Sequence, residues 1–438
     1  MSKPVFLISC PFDTYSGYGA RSRDIIKSII ETEKYDVQLL SQRWGDTPFG
    51  FCVNEKEWEF LLTHAVAKIE KKPDIWMQIT IPNEFQSVGT YNIGCTAGIE
   101  SNLCASDWIE GLNRMDMNWV SSNHSKEVFN NSKFEKRDKN TNQPVGIIKL
   151  EKPVHVVFEG VNLDVYKHLP SKEIKLDLSS IEESFAYLFV GHWMEGDLGH
   201  DRKNVGLLVK YFFDTFKNKK SKPALILKTG TGRNSYMSRE VILERIAKLK
   251  KTYTLKTDSL PNIYVLNGSL SDSDMNELYN HPKVKVMVSL TKGEGYGRPL
   301  AEFCTSKKPL ITSDWSGHTD FISREFTRVI PGGLEKVHAS AANKWLTPES
   351  QWFQCNTKET IKALSDVYTN YKKYTDGGKR QAYKIKNEFS YKEMAKLVDK
   401  ILGVNIPLFP TETKLVLPNL TTPIATRLSN VANCSSLF

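Results

Sequence analysis

The sequence has little of what a secreted or membrane-spanning protein needs. Its 438 residues include no run of roughly eighteen apolar residues, so we expect no transmembrane helix. The amino terminus reads Met-Ser-Lys-Pro and passes at once into a short strand, without the long apolar core of a signal peptide. The seven cysteines are scattered and include no Cys-x-x-Cys pair, which argues against a disulfide framework or a zinc site. Together these absences predict a cytoplasmic protein with reduced thiols.

The sequence also offers no convincing ligand set for a metal ion. Asp272-Ser273-Asp274 has the spacing of an Asp-x-Asp metal site. Asp and Ser are, however, also preferred at the start and in the first turn of a helix, and we interpret the segment in that way. We therefore expect no metal and no resident cofactor.

The bulk composition is that of a large globular protein. The chain is long enough for two or three domains, with 40% hydrophobic and 25% charged residues. Lysine and arginine give it a formal net charge of +9. This balance favours a polyanionic partner, although a lysine-rich composition produces it without one.

Strands and helices alternate along the chain, which predicts parallel sheets covered by helices on both faces. The predicted strands of the first half are Val5–Ser9, Val37–Ser41, Asp74–Thr80, Asn92–Ala97, Trp119–Ser122 and Val154–Phe158. Those of the second half are Phe185–Val190, Ala224–Lys228, Ile263–Leu266, Val284–Ser289 and Pro309–Thr312. Helices are predicted from Ala20, from Asp272, over Thr357–Tyr371 and over Tyr391–Leu402. Lys133–Lys152 is predicted to be a surface loop, and the polar stretch Pro170–Ser184 to be an interdomain linker.

A glycine-rich turn lies between a predicted buried strand and a predicted helix of the second half. The segment Lys292–Glu302 reads Lys-Gly-Glu-Gly-Tyr-Gly-Arg-Pro-Leu-Ala-Glu, and its helix is predicted to end near Ser306. Glycines at such a turn let backbone amides approach a ligand, and the helix start favours negative charge. Glu294 and Glu302 stand eight positions apart, so both can face one crevice and accept hydrogen bonds from hydroxyls. Phosphate at the amides and hydroxyls at the acids indicate a nucleotide-sugar site.

This Glu-x7-Glu pattern resembles the signature of retaining GT-B glycosyltransferases, the large fourth family of that class, which includes phage-encoded members. The segments Lys308–Asp314 and Gly317-His318 look like the strand and loop that follow the signature in that family. The resemblance implies an α/β GT-B fold, in which two Rossmann-like domains face each other across a cleft. It implies an acceptor domain over 1–168 and a nucleotide-sugar domain over 185–388. Residues 389–438 would then form a helix that crosses back to the first domain, followed by a tail.

The resemblance also implies which residues bind the donor. The turn from Gly191 to Asn204 is similar to the family's Gly-Arg…Lys-Gly turn, with Lys203 at the lysine position and His192 in place of the usual arginine. Lys203 would neutralise the leaving diphosphate and Glu294 would hold sugar hydroxyls, which makes these two the implied catalytic residues. Glu302 would hold the ribose. The residues expected to bind the donor are Gly17, Gly19, His192, Lys203, Lys228, Arg233, Glu294, Gly295, Tyr296, Gly297 and Glu302.

The acceptor side carries weaker signals. Arg21 and Arg23 lie in the first turn of the predicted helix, where cations are disfavoured, so either a phosphate-facing role or plain solvation explains them. Glu84 and Glu100 follow predicted strand ends, where they would line an acceptor pocket or be ordinary loop carboxylates. The family usually has Asn where Glu159 stands.

The implied activity is metal-independent transfer of a sugar from a nucleoside diphosphate sugar to a hydroxyl, with retention of configuration. The leading hypothesis for the acceptor is a hydroxymethylated pyrimidine in phage DNA, with Arg21 and Arg23 at the mouth of a positive track. It rests on basicity, the lack of a membrane element and the Lys- and Asn-rich composition. Transfer to a glycan, a lipid precursor or a protein is the main alternative. A sugar-nucleotide-binding protein and an epimerase on the same fold are further alternatives, and the oligomeric state stays open.

Overall fold

The first half of the chain forms an α/β domain around a six-stranded parallel sheet. The computed structural model describes residues 3–138, 140–232, 236–253 and 259–409. The strands of this domain are β1 (Val5–Cys10), β2 (Asp36–Ser41), β3 (Ile75–Ile79), β4 (Tyr91–Cys95), β5 (Met117–Val120), β6 (Lys133–Arg137), β7 (Pro144–Lys149) and β8 (Val154–Val156). Its helices are α1 (Gly17–Ile30), α2 (Phe51–Asn54), α3 (Ser106–Asn113) and α4 (Asn123–Asn131). The sheet order is β2-β1-β3-β4-β5-β8.

The second domain repeats this plan with a different strand order. Its strands are β9 (Ala186–Val190), β10 (Ala224–Lys228), β11 (Ile263–Leu266), β12 (Val284–Ser289), β13 (Leu310–Ser313), β14 (Arg328–Ile330), β15 (Gly332–Lys336) and β16 (Gln351–Cys355). The helices that follow the linker are α5 (Val205–Phe216), α6 (Tyr236–Lys251), α7 (Asp272–Asn280), α8 (Arg298–Cys304), α9 (Thr357–Thr369), α10 (Tyr371–Glu388) and α11 (Tyr391–Asn405). The parallel sheet has the order β11-β10-β9-β12-β13-β14.

The strand order of the second sheet indicates where its ligand crevice lies. The order reverses between β9 and β12, and loops at the carboxyl ends of two such strands diverge to leave a crevice. The central strands of this sheet are mostly apolar because helices cover both faces, as in β12, where Lys285 is the one residue that is not buried. The predicted α/β architecture of two Rossmann-like domains is confirmed.

The last helix returns to the first domain. Met394, Val398 and Leu402 of α11 are buried with the core of the first sheet. Lys34 Nζ, after α1, lies 2.5 Å from Asp399 Oδ1 of α11. The helix continues to Asn405, three residues beyond its predicted end. Of the tail that was expected after it, residues 410–438 lie outside the described part of the chain.

Several local expectations were wrong. The segment Lys133–Lys152 contains the antiparallel hairpin β6–β7 rather than a loop. Within the predicted linker, Leu178 and Ile181 are buried in the core of the second domain, so this stretch packs along the domain. A second hairpin, β15–β16, follows the second sheet and had no counterpart in the prediction. Among the described residues, no helix is both long and apolar enough to cross a membrane.

Candidate functional site

Two loops of the second domain meet where its strand order reverses. The loop Gly191–Asn204 follows β9, and the turn Leu290–Gly297 follows β12. Lys203 Nζ lies 2.5 Å from Glu294 Oε1, and Arg202 Nη1 lies 3.7 Å from the other carboxylate oxygen. The two cations therefore hold one carboxylate at the mouth of the crevice.

The charged groups in this cluster shift one another's pKa values. Burial alone would raise the pKa of Glu294, but Lys203 and Arg202 outweigh it and lower that pKa. Burial lowers the pKa of Lys203, and Glu294 offsets this only in part. Burial and the neighbouring cations also lower the pKa of His192. Glu294 is therefore ionised at neutral pH, and the surplus of positive charge around it suits an anionic ligand.

Lys228 adds a further cation to the same crevice. It closes β10, and its Nζ donates a hydrogen bond to the Gly268 carbonyl at 2.5 Å. Burial lowers the pKa of Lys228. Within the described part of the chain it has no carboxylate partner, and a carbonyl does not neutralise its charge. Arg233, which was expected to act beside Lys228, lies outside the described residues.

Two glycines of the turn, Gly293 and Gly295, lie so close to the first domain that a side chain would not fit. A Cβ on Gly293 would lie 1.8 Å from the Glu100 carbonyl oxygen, and a Cβ on Gly295 would lie 2.1 Å from that of Ala97. The Ser121 hydroxyl of the first domain also donates to the Gly295 carbonyl at 3.0 Å. The first-domain loop thus packs directly on the turn. Close contact with the first domain is thus a second reason for glycine at these positions, and their expected role at the ligand stays a prediction.

The last glycine of the turn, Gly297, is needed for its backbone conformation. Gly297 has φ +98° and precedes α8, a conformation that only glycine adopts without strain. Tyr296 was expected to bind the donor, but it is 2% exposed and packs on Phe321, with ring centroids 4.9 Å apart. The Tyr296 ring is therefore part of the hydrophobic core, and the expected donor contact of this residue rests on its backbone amide.

Glu302 is buried one turn inside α8 and has protein partners. Arg298 Nε donates to its Oε1 at 3.0 Å, and the Tyr279 hydroxyl donates to Oε2 at 3.3 Å. Burial, only partly offset by Arg298, raises the pKa of Glu302 to about 8. Arg298 also pairs with Asp24 of the first domain at 2.6 Å. Glu159 Oε2 lies 3.8 Å from the same guanidinium, so the residue that departs from the family pattern belongs to this network.

The acceptor-side arginines are not at the mouth of a cleft. Arg21 is 1% exposed and donates to the Val157 carbonyl at 3.1 Å. Arg23 donates to the Phe12 and Thr14 carbonyls and lies over the Phe51 ring. Their expected surface position was wrong because both side chains turn into the first domain, where backbone carbonyls accept their hydrogen bonds.

The nearby glycine loop is also shaped by the first domain. Ser16 caps α1 by accepting from the Gly19 amide at 2.9 Å. A Cβ on Gly19 would lie 2.4 Å from the Thr14 carbonyl oxygen, whereas Gly17 has open space around it. Gly19 is therefore needed for local packing. Gly17 has free space beside it at the start of α1.

The two acceptor-side carboxylates are separated by the structure. Glu100 Oε1 lies 3.5 Å from Arg202 Nη1 across the domain boundary, and Glu100 lines a cavity of about 390 Å³. Glu84 instead accepts a short hydrogen bond from the Thr80 hydroxyl, is exposed, and does not line that cavity. Glu100 thus joins the candidate site and Glu84 does not.

Sequence reasoning missed several residues of the site. Arg202 is adjacent to Lys203 in the basic run of the first loop, and that run was the available signal. His318 was noted in a motif but not assigned to the site, although its Cβ lies 3.0 Å from where a Cβ on Gly297 would stand and burial lowers the pKa of its imidazole. Asp24 and Arg298 carried no local signal, because they are far apart in the chain.

The Asp272-Ser273-Asp274 segment lies at the start of α7. Ser271 caps this helix by accepting from the Asp274 amide at 3.1 Å, and Asp272 accepts from the Tyr166 hydroxyl at 3.0 Å. Both acids therefore belong to the first helical turn. In the part of the chain that the structure describes, no group of three His, Cys, Asp or Glu side chains could hold a metal ion.

Comparison with solved structures shows which fold these two domains form. Sucrose-phosphate synthase from Thermosynechococcus elongatus superposes with a TM-score of 0.59 at 12% identity, covering 92% of this chain and 98% of that one. A glycosyltransferase from Rickettsia africae gives 0.60 at 14% identity with the same coverage. The chain has the GT-B fold. Anabaena HepE in complex with UDP is a further GT-B neighbour, with a TM-score of 0.60 at 10% identity, covering 91% of this chain and 99% of that one. No protein-family model matches this sequence, and a search of curated proteins gives no match.

Proposed function

We propose that this chain is a retaining glycosyltransferase that moves a sugar from a nucleoside diphosphate sugar to a hydroxyl acceptor. The observation that carries the proposal is the Lys203–Glu294 pair, with Arg202 beside it, at the switch point of the second GT-B domain. A carboxylate held ionised by two cations is suited to a ligand that has both hydroxyls and phosphates.

The donor would lie along the crevice between these loops. Lys203 and Lys228 would neutralise the diphosphate, and the Glu294 carboxylate would accept hydrogen bonds from sugar hydroxyls. The ribose would lie near Glu302, in line with the family pattern that the sequence resembles. Anabaena HepE has been solved with UDP-glucose, which makes UDP-sugars the first donors to test.

The proposed reaction needs no dedicated base. The bond from the anomeric carbon to the diphosphate oxygen breaks, and its electron pair leaves with the diphosphate. The acceptor oxygen bonds to the anomeric carbon from the same face, and its proton passes to the leaving diphosphate. The protein then contributes alignment and stabilisation of the charge that develops on the leaving group. Lys203 is best placed for the second task, so we include metal independence in the proposal.

The acceptor is the least supported part of this function. The hypothesis of hydroxymethylated pyrimidine in phage DNA relied on Arg21 and Arg23 as part of a positive track. Both are buried and bonded within the first domain, so that support is lost. A glycan, a lipid precursor or a protein remains the alternative acceptor. A sugar-nucleotide-binding protein and an epimerase differ from a transferase in turnover and are distinguished by experiment.

The test of the proposed function is a panel of nucleotide sugars. We expect one UDP-sugar to raise the melting temperature and to be hydrolysed slowly without an acceptor, releasing UDP. Lys203→Met should lower the donor affinity and the rate of hydrolysis about tenfold or more and reduce the rise in melting temperature, because a charge-assisted contact to phosphate is lost. Lys372→Met on the exposed face of α10 is the matched control.

Three outcomes would contradict this function. Equal behaviour of Lys203→Met and the control would remove Lys203 from the site. Donor binding without any turnover would favour the binding protein. Release of an epimerised nucleotide sugar would favour the epimerase.

A further inference from the structure

A cavity of about 390 Å³ lies beside the donor crevice, between the two domains. The first domain contributes Glu100 and Trp108 to its wall. The second domain contributes Arg202 from the loop after β9 and Trp345 from the segment between β15 and β16. Its volume falls within the range that small-molecule sites occupy, roughly 300–1,000 Å³.

The outer wall of this cavity is formed by the hairpin β15–β16 and its connecting segment 337–350. We call residues 332–355 the arm. Asn102 of the first domain forms three hydrogen bonds with Gln351, the first residue of β16, at 2.7, 2.9 and 3.1 Å. The rings of Trp108 and Trp345 lie 6.1 Å apart across the same boundary. The arm is therefore fixed against the first domain, and the cavity is built by both domains.

The arm is also fixed to the donor side. The side chain of Lys292 is fully buried and forms hydrogen bonds with Glu335 and Gln354 of the arm. The amide of Phe353 donates to the Lys292 carbonyl at 2.9 Å. Lys292 begins the glycine-rich turn that carries Glu294. The position of the arm is thus coupled directly to the backbone of the donor site.

Arg202 connects the cavity with the reacting end of the crevice. Its Nη1 lies 3.5 Å from Glu100 Oε1 and 3.7 Å from Glu294 Oε2, and it donates to the Gly293 carbonyl at 3.0 Å. One side chain therefore separates the cavity from the carboxylate assigned to the donor sugar. A ring bound in the cavity could present a hydroxyl to that sugar without any contact to the diphosphate site.

The lining of the cavity indicates the chemistry of that ring. Trp345 is half-buried and provides flat apolar surface, which suits the C–H faces of a pyranose, while the buried ring of Trp108 supports it from 6.1 Å away. Glu100 and Glu195 line the cavity as hydrogen-bond acceptors, and sugar hydroxyls can donate to such carboxylates. These two acids line the wall together with Arg202, and Lys344 lies over the Trp345 ring. The described residues at this wall thus carry no surplus of positive charge to attract the phosphates of a nucleic acid.

We propose that this cavity is the acceptor subsite and that its ligand is the neutral sugar ring of a carbohydrate acceptor. Trp345 acts as the stacking platform, and Glu100 selects hydroxyls. The inference rests on the proposed function, because it places the acceptor relative to the donor. It extends that function by assigning an acceptor class and by giving the arm the role of determining specificity.

The experiment is saturation-transfer difference NMR on the full chain with UDP present. The probes are methyl glycosides of glucose, galactose, mannose and N-acetylglucosamine, with a hydroxymethylcytosine duplex as the competing class. We expect at least one glycoside to bind alongside UDP. Trp345→Ala should weaken its binding about three- to tenfold, as the loss of one aromatic platform does. Trp345→Phe should retain most of the affinity.

The matched control is Tyr383→Ala, which removes an exposed aromatic ring from α10. It should leave glycoside binding unchanged, and UDP binding should be unchanged in all three variants. Displacement of the glycoside by UDP would overturn the inference, as would equal binding in Trp345→Ala and wild type. Binding of the duplex in place of every glycoside, or of no probe at all, would also overturn it. Failure of every nucleotide sugar in the panel to bind wild type would instead contradict the proposed function, so the two failures are distinguishable.

Discussion

Arg298 Nη1 lies 2.6 Å from Asp24 Oδ2, and this ion pair joins the first turn of α8 to the helix α1 of the other domain. The same guanidinium donates to Glu302 at 3.0 Å and lies 3.8 Å from Glu159. One cation therefore serves carboxylates of both domains. All three carboxylates are buried, and Glu159 has a second cation, Arg21, at 3.9 Å.

Replacing Arg298 should destabilise the fold and loosen the domain contact. Arg298→Met leaves the buried Asp24 carboxylate without its counter-ion, which costs about 3 kcal/mol or more, and it removes a hydrogen bond to Glu302. Urea unfolding measures this loss, and small-angle scattering should show a larger radius of gyration. Arg380→Met removes an exposed arginine that pairs with Glu325 and should cost less than about 1 kcal/mol. Equal losses in the two variants would mean that Arg298 is not a bridge between the domains.

Glu294→Gln should retain the fold but lose transfer. The amide cannot replace a charge-assisted hydrogen bond to sugar hydroxyls, which contributes about 1.5–3 kcal/mol, or about ten- to a hundredfold in rate. The measurement is kcat/KM with the donor identified in the panel. Glu388→Gln, at an exposed position at the end of α10, should behave as wild type. Full activity in Glu294→Gln would remove this residue from the reaction.

The raised pKa of Glu302 predicts a dependence of stability on pH. Burial, only partly offset by Arg298, raises that pKa from 4.5 to about 8, so the folded state holds the proton more tightly than the unfolded chain. This contribution is present below pH 4.5 and is lost as the pH rises towards about 8. The loss is at most about 1.4 kcal/mol for each pH unit in that interval.

Glu302→Gln tests this dependence because its amide has no proton to lose. Its free energy of unfolding should gain on that of wild type as the pH rises from about 5 to 8, and the difference should level off above that. Urea titrations at several pH values give both curves. A difference that is constant with pH would show that Glu302 is already ionised in the fold.

The α/β framework could be predicted because its central strands are continuous apolar runs. The predicted bounds of Ala224–Lys228 and Val284–Ser289 agree with those of β10 and β12. Strands buried on both faces need no alternation to be recognised. The two hairpins could not be predicted in this way. β15 reads Gly-Gly-Leu-Glu-Lys, so it is too short and polar to stand out from a loop.

The candidate site could be predicted only where a local pattern exists. Lys203 and Glu294 each lie in a recognisable turn, and the structure brings them into contact. Asp24 and Arg298 are 274 positions apart, and neither lies in a pattern that points to the other. Whether Arg21 faces solvent or protein is equally invisible, because it depends on which backbone carbonyls the fold presents to it.

Turnover should survive thorough EDTA treatment. Lys203 and Lys228 supply positive charge where the diphosphate would lie, and the carboxylates of the Asp-x-Asp segment have protein partners at the start of α7. A diphosphate bound by lysines needs no divalent ion to neutralise it. The measurement compares donor hydrolysis before and after chelation. Complete loss that magnesium or manganese restores would show that Asp272 and Asp274 bind a metal during turnover.

The salt dependence of transfer separates the two acceptor classes. A DNA acceptor would release condensed counterions, so log affinity would fall with log salt at a slope of about 0.9 for each phosphate contact. A neutral carbohydrate in the cavity beside Glu100 neutralises few charges, and we expect the acceptor KM to change little with salt. The measurement is acceptor KM over a range of salt concentrations, with the best glycoside and with a hydroxymethylcytosine duplex.

The variant Arg21→Ala gives a second test that distinguishes a DNA acceptor from a carbohydrate acceptor. Because Arg21 is buried and bonded to the Val157 carbonyl, its loss should lower the free energy of unfolding without changing any salt slope. If DNA were the acceptor and Arg21 a phosphate contact, the same variant would lower the slope by about one contact and leave stability nearly unchanged. A steep slope with the duplex, lowered in Arg21→Ala, would contradict the carbohydrate acceptor. It would leave the donor half of the site, with Lys203 and Glu294, unaffected.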